Sequence, residues 1–351
     1  MEDQVRNAFA DQATWCDRLG SPFTARLMVV LGAALDRDTR TGRAVLDWTG
    51  RPDALGDSVP LRLAGALHAL VRAGRDAGLA AVYPPHPLPD VAALDAAVRA
   101  AIRAHDDAIV GWLGFFPQTN EVARSGLLYP GLMTVAHRFG LPLSLYEVGA
   151  SAGLNLFADR FAYDLGGRRC GAAGSAVRLA PAWEGDAPAG EDPVVVGRRG
   201  CDLAPVDLGD PAARDRLVAY VWADQTERLA RLEAAIEIAR DAGPVRLDRG
   251  DAAACVEAWL AEPAAPGVVR VLMHSIAFQY FPEMSRLRIA EAMARAGAQA
   301  TREAPLAWLG FEQADGGGPE LRLTLWPGGA SVRLARADAH GRRVIWEGGP
   351  A

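Results

Sequence analysis

The stretch "LSLYEVGASAGLNL", residues 143–156, decides the fold of this chain. An apolar run ends at Glu147, and a Gly-x-Ser-x-Gly pattern follows with Ser151 at its centre. This pattern is typical of two structures: a turn that presents a nucleophilic serine, and a glycine turn that lets the backbone approach a nucleotide-like ligand. A dinucleotide fingerprint is excluded, because it needs glycine at the positions where this chain has Ser151 and Leu154.

The sequence before this stretch favours the glycine turn over the nucleophile. From residue 1 to about 140, apolar residues recur at helical spacing, and no strand-like segment comes first. A hydrolase nucleophile lies on a central strand that several other strands precede. A serine hydrolase with the triad Ser151, Asp251 and His274 therefore stays as the less favoured alternative. Within the helical part, Ser21 is predicted to cap the helix that begins at Pro22.

After residue 140 the pattern changes to short β-rich runs that alternate with helical ones. This alternation predicts a mostly parallel sheet with right-handed crossovers, and the period-two pattern near the C-terminus predicts antiparallel strands. An irregular insertion with possible hairpin strands occupies about 161–190. We therefore expect an α/β protein with an all-helical domain over 1–140, which lids the substrate side, and a Rossmann-like domain over 141–351.

The composition excludes several classes of protein. The chain has 37 Lys+Arg against 43 Asp+Glu, a net charge of −6, so nucleic acid is not expected as a partner. The chain contains no lysine, which excludes a Schiff-base lysine and a Gly-Lys-Ser/Thr phosphate loop. The four cysteines are scattered, so we expect neither a zinc site nor a disulfide framework. Without a signal core or a long apolar run, we expect a cytoplasmic protein with no membrane partner.

Two further motifs follow the glycine turn, "GCDLAPVDL" around Asp202 and "VRLDRGDAAA" around Asp251. In this order the three stretches resemble the class I S-adenosylmethionine-dependent methyltransferases, in which a helix follows the glycine turn. The resemblance implies that Asp202 accepts the ribose hydroxyls and Asp251 the adenine amino group. Each aspartate is equally typical of a helix cap. The expected cofactor-binding residues are Glu147, Gly149, Ser151, Gly153, Asn155, Asp202 and Asp251.

Three residues are candidates for catalysis. His274 ends the predicted fourth strand, in "VLMHSIAFQYFP", where it is either a general base or a histidine whose ring nitrogens are satisfied internally. Glu121 and Arg124, in "PQTNEVARS", are spaced to face one side of a helix as substrate contacts. The alternative for this segment is that Thr119 or Asn120 caps the next helix.

The chain also resembles a bacterial family known as domain of unknown function 2332. The resemblance depends on "LRLAGALHAL", "PQTNEVARS", "EVGASAGLNLFADRFAYD", "GCDLAPVDL" with "VWADQTERL", and "VLMHSIAFQYFP". It implies a helical first half joined to a methyltransferase-like second half. We expect an S-adenosylmethionine-dependent methyltransferase that acts on a small molecule, with a non-catalytic binder of the same cofactor or of a nucleotide as the second hypothesis. The sequence predicts neither the methyl acceptor nor the oligomeric state.

Overall fold

A computed structural model describes residues 1–314 and 316–348 of the chain. In chain order its helices are α1 Glu2–Arg18, α2 Pro22–Ala34, α3 Arg40–Leu46, α4 Val59–Arg72, α5 Ala77–Ala80, α6 Val91–Ala104, α7 Asp106–Leu113, α8 Ser125–Phe139, α9 Pro211–Ala219, α10 Thr226–Ala242, α11 Ala252–Ala261 and α12 Glu283–Ala298. Its strands are β1 Leu143–Val148, β2 Ala162–Leu165, β3 Arg168–Gly171, β4 Arg178–Leu179, β5 Ala182–Glu184, β6 Val195–Asp202, β7 Arg246–Arg249, β8 Val269–Ser275, β9 Leu306–Gln313, β10 Pro319–Trp326, β11 Ala330–Ala337 and β12 Arg343–Trp346. Short 3₁₀ helices lie at Val122–Arg124, Leu154–Arg160 and Phe278–Tyr280.

The chain divides into two compact units, and the division differs from the predicted domains. The first unit comprises Met1–Thr119 and Asp210–Ala230, and the second comprises Asn120–Gly209 and Arg231–Ala351. Helix α8 lies in the predicted helical domain but belongs to the second unit, because it packs on β9. A Cβ at Gly131 would lie only 2.7 Å from the side chain of Leu309, so glycine allows this close approach. Helix α9 packs on α4 within the first unit.

The first unit is helical, as predicted, and its helices share one apolar core. Buried core side chains come from several helices, among them Phe9, Leu31, Leu63 and Val98. Phe23 meets Tyr83 edge-on, with ring centroids 4.7 Å apart. Ser21 precedes α2 but does not cap it; its hydroxyl donates to Asp224, whose carboxylate accepts the Phe23 N–H at 2.9 Å. A carboxylate distant in sequence therefore replaces the predicted serine cap.

The second unit contains a large sheet whose order, within the described residues, is β5-β12-β11-β10-β9-β8-β1-β6-β7. Strands β7, β6, β1, β8 and β9 run parallel, and β10, β11 and β12 continue the sheet antiparallel from β9. The predicted mixed α/β architecture, mostly parallel with antiparallel C-terminal strands, is confirmed. Because β1 pairs with both β6 and β8, the chain order reverses at its carboxyl end, where open α/β sheets bind ligands.

The predicted insertion at 161–190 forms strands of its own. Strands β2, β3 and β4 make a small sheet in the order β3-β2-β4, and β5 pairs in parallel with β12 at the edge of the large sheet. Tyr163 of β2 stacks on Tyr129 of α8, with centroids 4.2 Å apart. The insertion therefore extends the second unit rather than forming a loose loop.

The helix after β1 and the glycine turn is not a regular α-helix. Leu154–Arg160 forms a 3₁₀ helix, interrupted at Phe157 by non-helical angles of φ −99° and ψ 20°. The helix that the resemblance implies after the glycine turn is therefore a short, interrupted 3₁₀ helix. None of the described helices combines the length and the apolar character that crossing a bilayer requires.

Candidate functional site

The glycine turn after β1 has three residues with left-handed backbone angles. Gly149 has φ 66°, Ser151 φ 53° and Gly153 φ 71°. Serine rarely adopts this conformation, so glycine would fit position 151 with less strain. A Cβ at Gly149 would lie 2.6 Å from Cβ of Ala277 in the loop after β8. The turn therefore needs glycine at 149 both for its backbone angle and for the close approach of that loop.

Asp202 ends β6 and joins it to the glycine turn. Its Oδ2 accepts the backbone N–H of Ser151 at 2.9 Å, and its Oδ1 accepts that of Ala204 at 2.9 Å. The Ala150 N–H donates to the Cys201 carbonyl at 3.0 Å beside this contact. The first two predicted motifs therefore meet at the carboxyl ends of adjacent parallel strands.

Glu147 is a buried carboxyl group at the end of β1. Its Oε1 lies 3.5 Å from Nδ2 of Asn155, and its Oε2 has no hydrogen-bond partner among the described residues. Burial raises the pKa of Glu147 from 4.5 to about 8, which outweighs the opposing effect of Asn155. Ser125 Oγ donates to Oδ1 of Asn155 at 2.8 Å and so turns the amide N–H₂ towards Glu147. Glu147 is therefore held largely protonated at neutral pH.

The predicted polar segment at 120–125 spans the point where the strand order reverses. Oδ1 of Asn120 accepts the Leu154 N–H at 2.9 Å, directly after the glycine turn. Arg124 donates to the carbonyl of Ser275, the last residue of β8, at 3.0 Å. The segment therefore connects the residues that follow β1 with the end of β8.

Glu121 lies in the same segment and is buried. Its Oε1 accepts the Ala123 N–H at 3.1 Å, so the glutamate, rather than Thr119 or Asn120, caps the 3₁₀ helix that follows. Its Oε2 lies 3.5 Å from Nδ1 of His340, and its Oε1 lies 3.9 Å from a guanidinium nitrogen of Arg231. Sequence reasoning missed both of these basic partners, because they lie far along the chain.

His274 is buried at the end of β8, and both of its ring nitrogens are engaged. Trp308 Nε1 donates to His274 Nε2 at 2.9 Å, so Nδ1 carries the proton and donates to Oε1 of Glu312 at 2.7 Å. The ring also stacks on Phe278, with centroids 4.8 Å apart. The geometry is that of the second interpretation, an internally satisfied histidine, because both ring nitrogens are used within the protein.

Glu312 of β9 holds the loop that follows β8. Besides His274, its Oε1 accepts the backbone N–H groups of Ala277 and Phe278, each at 3.0 Å. Burial acts to raise the pKa of Glu312, but these hydrogen bonds outweigh it and hold the pKa below its usual range. In the same loop Ile276 has φ 47°, a strained angle for a β-branched residue. Glu312 could not be identified from the sequence, because its partners lie more than 30 residues away.

Asp251 occupies the cap position of α11. Its Oδ1 accepts the Ala253 and Ala254 N–H groups, each at 3.1 Å, and its Oδ2 accepts Ser285 Oγ at 2.8 Å. Partial burial acts to raise the pKa of Asp251, but the bonds from Ser285 and the helix outweigh it, and the pKa lies below its usual range. The geometry is that of the helix-cap alternative for this residue.

The alternative Ser-His-Asp triad is not assembled. Ser151 Oγ is buried and has no hydrogen-bond partner among the described residues. His274 donates to Glu312 rather than to Asp251, whose oxygens are engaged by α11 and Ser285. Neither His274 nor Asp251 is therefore placed to activate the serine.

A cavity of about 400 Å³ lies in the second unit beside the glycine turn. Its walls include Ala152 and Phe157 after β1, 205–209 after β6, and Leu247 of β7. Its volume falls within the range of ligand pockets, and its walls are mostly apolar. Glu147, Ser151 and Asp202 are not among the described residues that line it.

The fold and these contacts define a mixed α/β protein with a candidate ligand site at the carboxyl ends of β1, β6 and β8. Residues 6–346 match the family described as an uncharacterized protein conserved in bacteria, domain of unknown function 2332, and the chain belongs to that family. Comparison with curated proteins and with solved structures gives no match.

Proposed function

We propose that this protein binds S-adenosylmethionine at the carboxyl ends of β1 and β6 and transfers its methyl group to a small molecule. The observation that carries the proposal is the 2.9 Å hydrogen bond from the Ser151 N–H to Asp202. This bond joins the glycine turn after β1 to Asp202, the last residue of β6. The methyltransferase resemblance requires these two groups on neighbouring parallel strands.

The order of the strands supports the proposal. Read along the sheet, β7, β6, β1, β8 and β9 are the third, second, first, fourth and fifth parallel strands of the second unit in chain order. Rossmann-like sheets have the same order, and in them ligands bind beyond the carboxyl ends of the strands where the order reverses, which supports the proposal. The cavity beside Ala152 offers a volume suited to a nucleoside-sized group at this end of the turn.

The predicted cofactor-binding carboxyl groups differ in how well their contacts would allow them to bind S-adenosylmethionine. Oε2 of Glu147 is buried without a hydrogen-bond partner among the described residues, as expected of a polar group whose partner is a ligand. Asp202 would have to accept ribose hydroxyls besides, or in exchange for, its two backbone N–H groups. Asp251 would have to give up Ser285 before it could accept an adenine amino group. Glu147 and Asp202 are therefore the stronger candidates for cofactor contacts.

The chemistry that the cofactor supplies when bound is a methyl group on a positively charged sulfur. Methyl transfer then needs alignment of the acceptor and removal of its proton. Because His274 has no unengaged nitrogen, the proton is better taken by Glu121, whose carboxylate lies beside His340. Arg124, held between Ser275 and Ala339, would keep the segment that carries Glu121 against the end of β8.

A binder without turnover is the second candidate, and one observation favours it. The ring nitrogens of His274 are both used inside the protein, and Ala277 closes on Gly149 where a methyl acceptor would approach. Cofactor binding is common to both candidates. Transfer of labelled methyl groups into a small-molecule fraction separates them.

The test is a titration of the purified protein with S-adenosylmethionine and S-adenosylhomocysteine, with ATP and NAD as controls. Ligand at 100 times its dissociation constant adds about 2.7 kcal/mol to the free energy of unfolding, which raises the melting temperature. Asp202→Asn should weaken binding by about 1.5 to 3 kcal/mol, whereas Ser151→Gly should preserve it because glycine suits φ 53°. Absence of binding at millimolar ligand refutes the proposal. Covalent labelling of Ser151 by a fluorophosphonate would instead support the alternative hypothesis of a serine hydrolase.

A further inference from the structure

Helices α4, α7 and α9 of the first unit enclose a groove of about 290 Å³. Its floor is apolar, with Ala66, Leu70 and Ile109 among the lining residues, and the side chains of Trp112 and Phe115 form an aromatic wall. Tyr220 Oη donates to the Phe115 carbonyl at 3.0 Å and fixes the backbone of that wall. The volume is close to the lower end of the range for small-molecule sites.

The charges around this groove are unbalanced. Three guanidinium groups, those of Arg72, Arg75 and Arg216, line it together with one carboxylate, that of Asp215. Among the described residues, the side chains of Arg75 and Arg216 make no hydrogen bond or ion pair with protein. In a chain of net charge −6, this concave surface therefore carries a local excess of positive charge.

Arg216 is held in place before any ligand arrives. Its guanidinium lies 4.3 Å from the ring centroid of Phe115, close enough for a cation–π contact. The planar group therefore keeps its donors available while its position is restrained, which lowers the entropic cost of binding an anion. A freely solvated surface arginine has no such restraint.

We propose that this groove binds a small organic anion with a flat apolar body, such as an aromatic carboxylate. The carboxylate would accept charge-assisted hydrogen bonds from Arg75 and Arg216, and the apolar body would lie against Trp112 and the alanine-lined floor. Tight binding needs both parts of the ligand. An inorganic anion leaves the apolar floor exposed to water, and a neutral aromatic molecule leaves the guanidinium groups without a counter-charge. The proposal concerns the first unit alone and does not depend on methyl transfer.

The test is a calorimetric titration of the full chain with 1-naphthoate, with the neutral 1-naphthalenemethanol and inorganic phosphate as comparison ligands. Naphthoate should bind at least tenfold more tightly than either. Arg75→Gln and Arg216→Gln should each weaken naphthoate binding about tenfold, because each removes one charge-assisted bond. Ala108→Trp, at an exposed lining position of α7, should fill the groove and abolish binding.

Arg18→Gln is the matched control, since Arg18 is an exposed arginine of the same unit that lies 5.7 Å from the ring centroid of Trp15. It should leave naphthoate affinity unchanged, and circular dichroism should give every variant the melting temperature of the parent within a few degrees. The proposal is overturned if naphthoate fails to bind at millimolar concentration or if the alcohol binds equally well. It is equally overturned if Arg18→Gln weakens binding as much as Arg216→Gln does.

Discussion

Replacing Glu312 with alanine should destabilise the second unit more than any other single carboxylate change in its sheet. The carboxylate accepts the His274 ring at 2.7 Å, the Ala277 and Phe278 backbone N–H groups at 3.0 Å, and the Gln279 N–H at 3.4 Å. Its side chain is 17% exposed, so water replaces few of these contacts when it is removed. Three good donors would therefore lose their acceptor together.

The magnitude follows from those donors. Each buried donor left unsatisfied costs about 1 to 3 kcal/mol, and because the loop N–H groups are only half-buried we take the lower part of that range. Glu312→Ala should thus lower the free energy of unfolding by about 2 to 4 kcal/mol. Glu312→Gln should cost about 1 to 2 kcal/mol, because an amide oxygen can keep the three bonds of Oε1 without their charge.

Urea unfolding of the parent and of both variants measures these differences, and acid titration supplies a second readout. Because the pKa of Glu312 is lowered in the folded state, its stabilisation is present above the unfolded pKa of about 4.3 and is lost as the pH falls through the folded pKa. The gap between the parent and Glu312→Gln should narrow in that acidic range. Equal losses in the two variants, or a loss below 1 kcal/mol for Glu312→Ala, would refute the assignment of Glu312 as the acceptor that holds the loop.

Three further changes test other parts of the site. Gly149→Ala should lower the free energy of unfolding by about 1 to 3 kcal/mol, because alanine is strained at φ 66° and its Cβ would collide with Ala277. Adding Ala277→Gly should recover part of that loss, as measured by thermal unfolding. Asp251→Ala should cost about 1 kcal/mol with or without ligand while Asp251→Asn, which can still cap α11, costs less; the opposite order in urea unfolding would contradict the cap. Because the pKa of buried Glu147 is raised from 4.5 to about 8, its folded state loses stability as the pH rises between those values. Glu147→Gln should remove this pH-dependent decrease in the free energy of unfolding. If the free energies of unfolding of the parent and the variant change in parallel from pH 4.5 to 8, the raised pKa of Glu147 is refuted.

The strands were predictable because buried parallel strands have a local signal. Strands β1, β8 and β9 lie largely in apolar or β-branched runs and β6 begins in one, whereas β7 is a short polar strand that ends at a glycine turn. The alternation with helices predicted the parallel arrangement of all five strands. The two-residue periodicity of the C-terminal segment likewise predicted antiparallel strands. The local pattern did not predict the boundary between the units, because tertiary packing decides it: α8 continues the apolar pattern of the helices before it, but Gly131 lets it pack on β9.

The hydrogen-bond partners of the site residues could not be predicted from the sequence, because tertiary packing decides them as well. His274 and Asp251 were each identified with an internally satisfied alternative, and nothing local could choose between the alternatives. The choice depends on Glu312, Trp308 and Ser285, which the fold brings from more than 30 residues away. A hydrogen bond between distant residues leaves no periodicity in either segment.

The carboxyl groups that have hydrogen-bond partners, and the one that lacks a partner at one oxygen, bear on how a ligand would enter the proposed site. A ligand that displaces Ser285 from Asp251 must replace a 2.8 Å hydrogen bond, so it gains only the difference between the old bond and the new one. A ligand that reaches Oε2 of Glu147 displaces no protein hydrogen bond among the described residues. In the proposed function a ligand entering beside the glycine turn would move the loop after β8, which approaches Gly149 through Ala277 and holds Ile276 at a strained φ of 47°. In the proposed function the relief of this strain would offset part of the cost of opening, and the hydrogen bonds to Glu312 would set how far the loop can move.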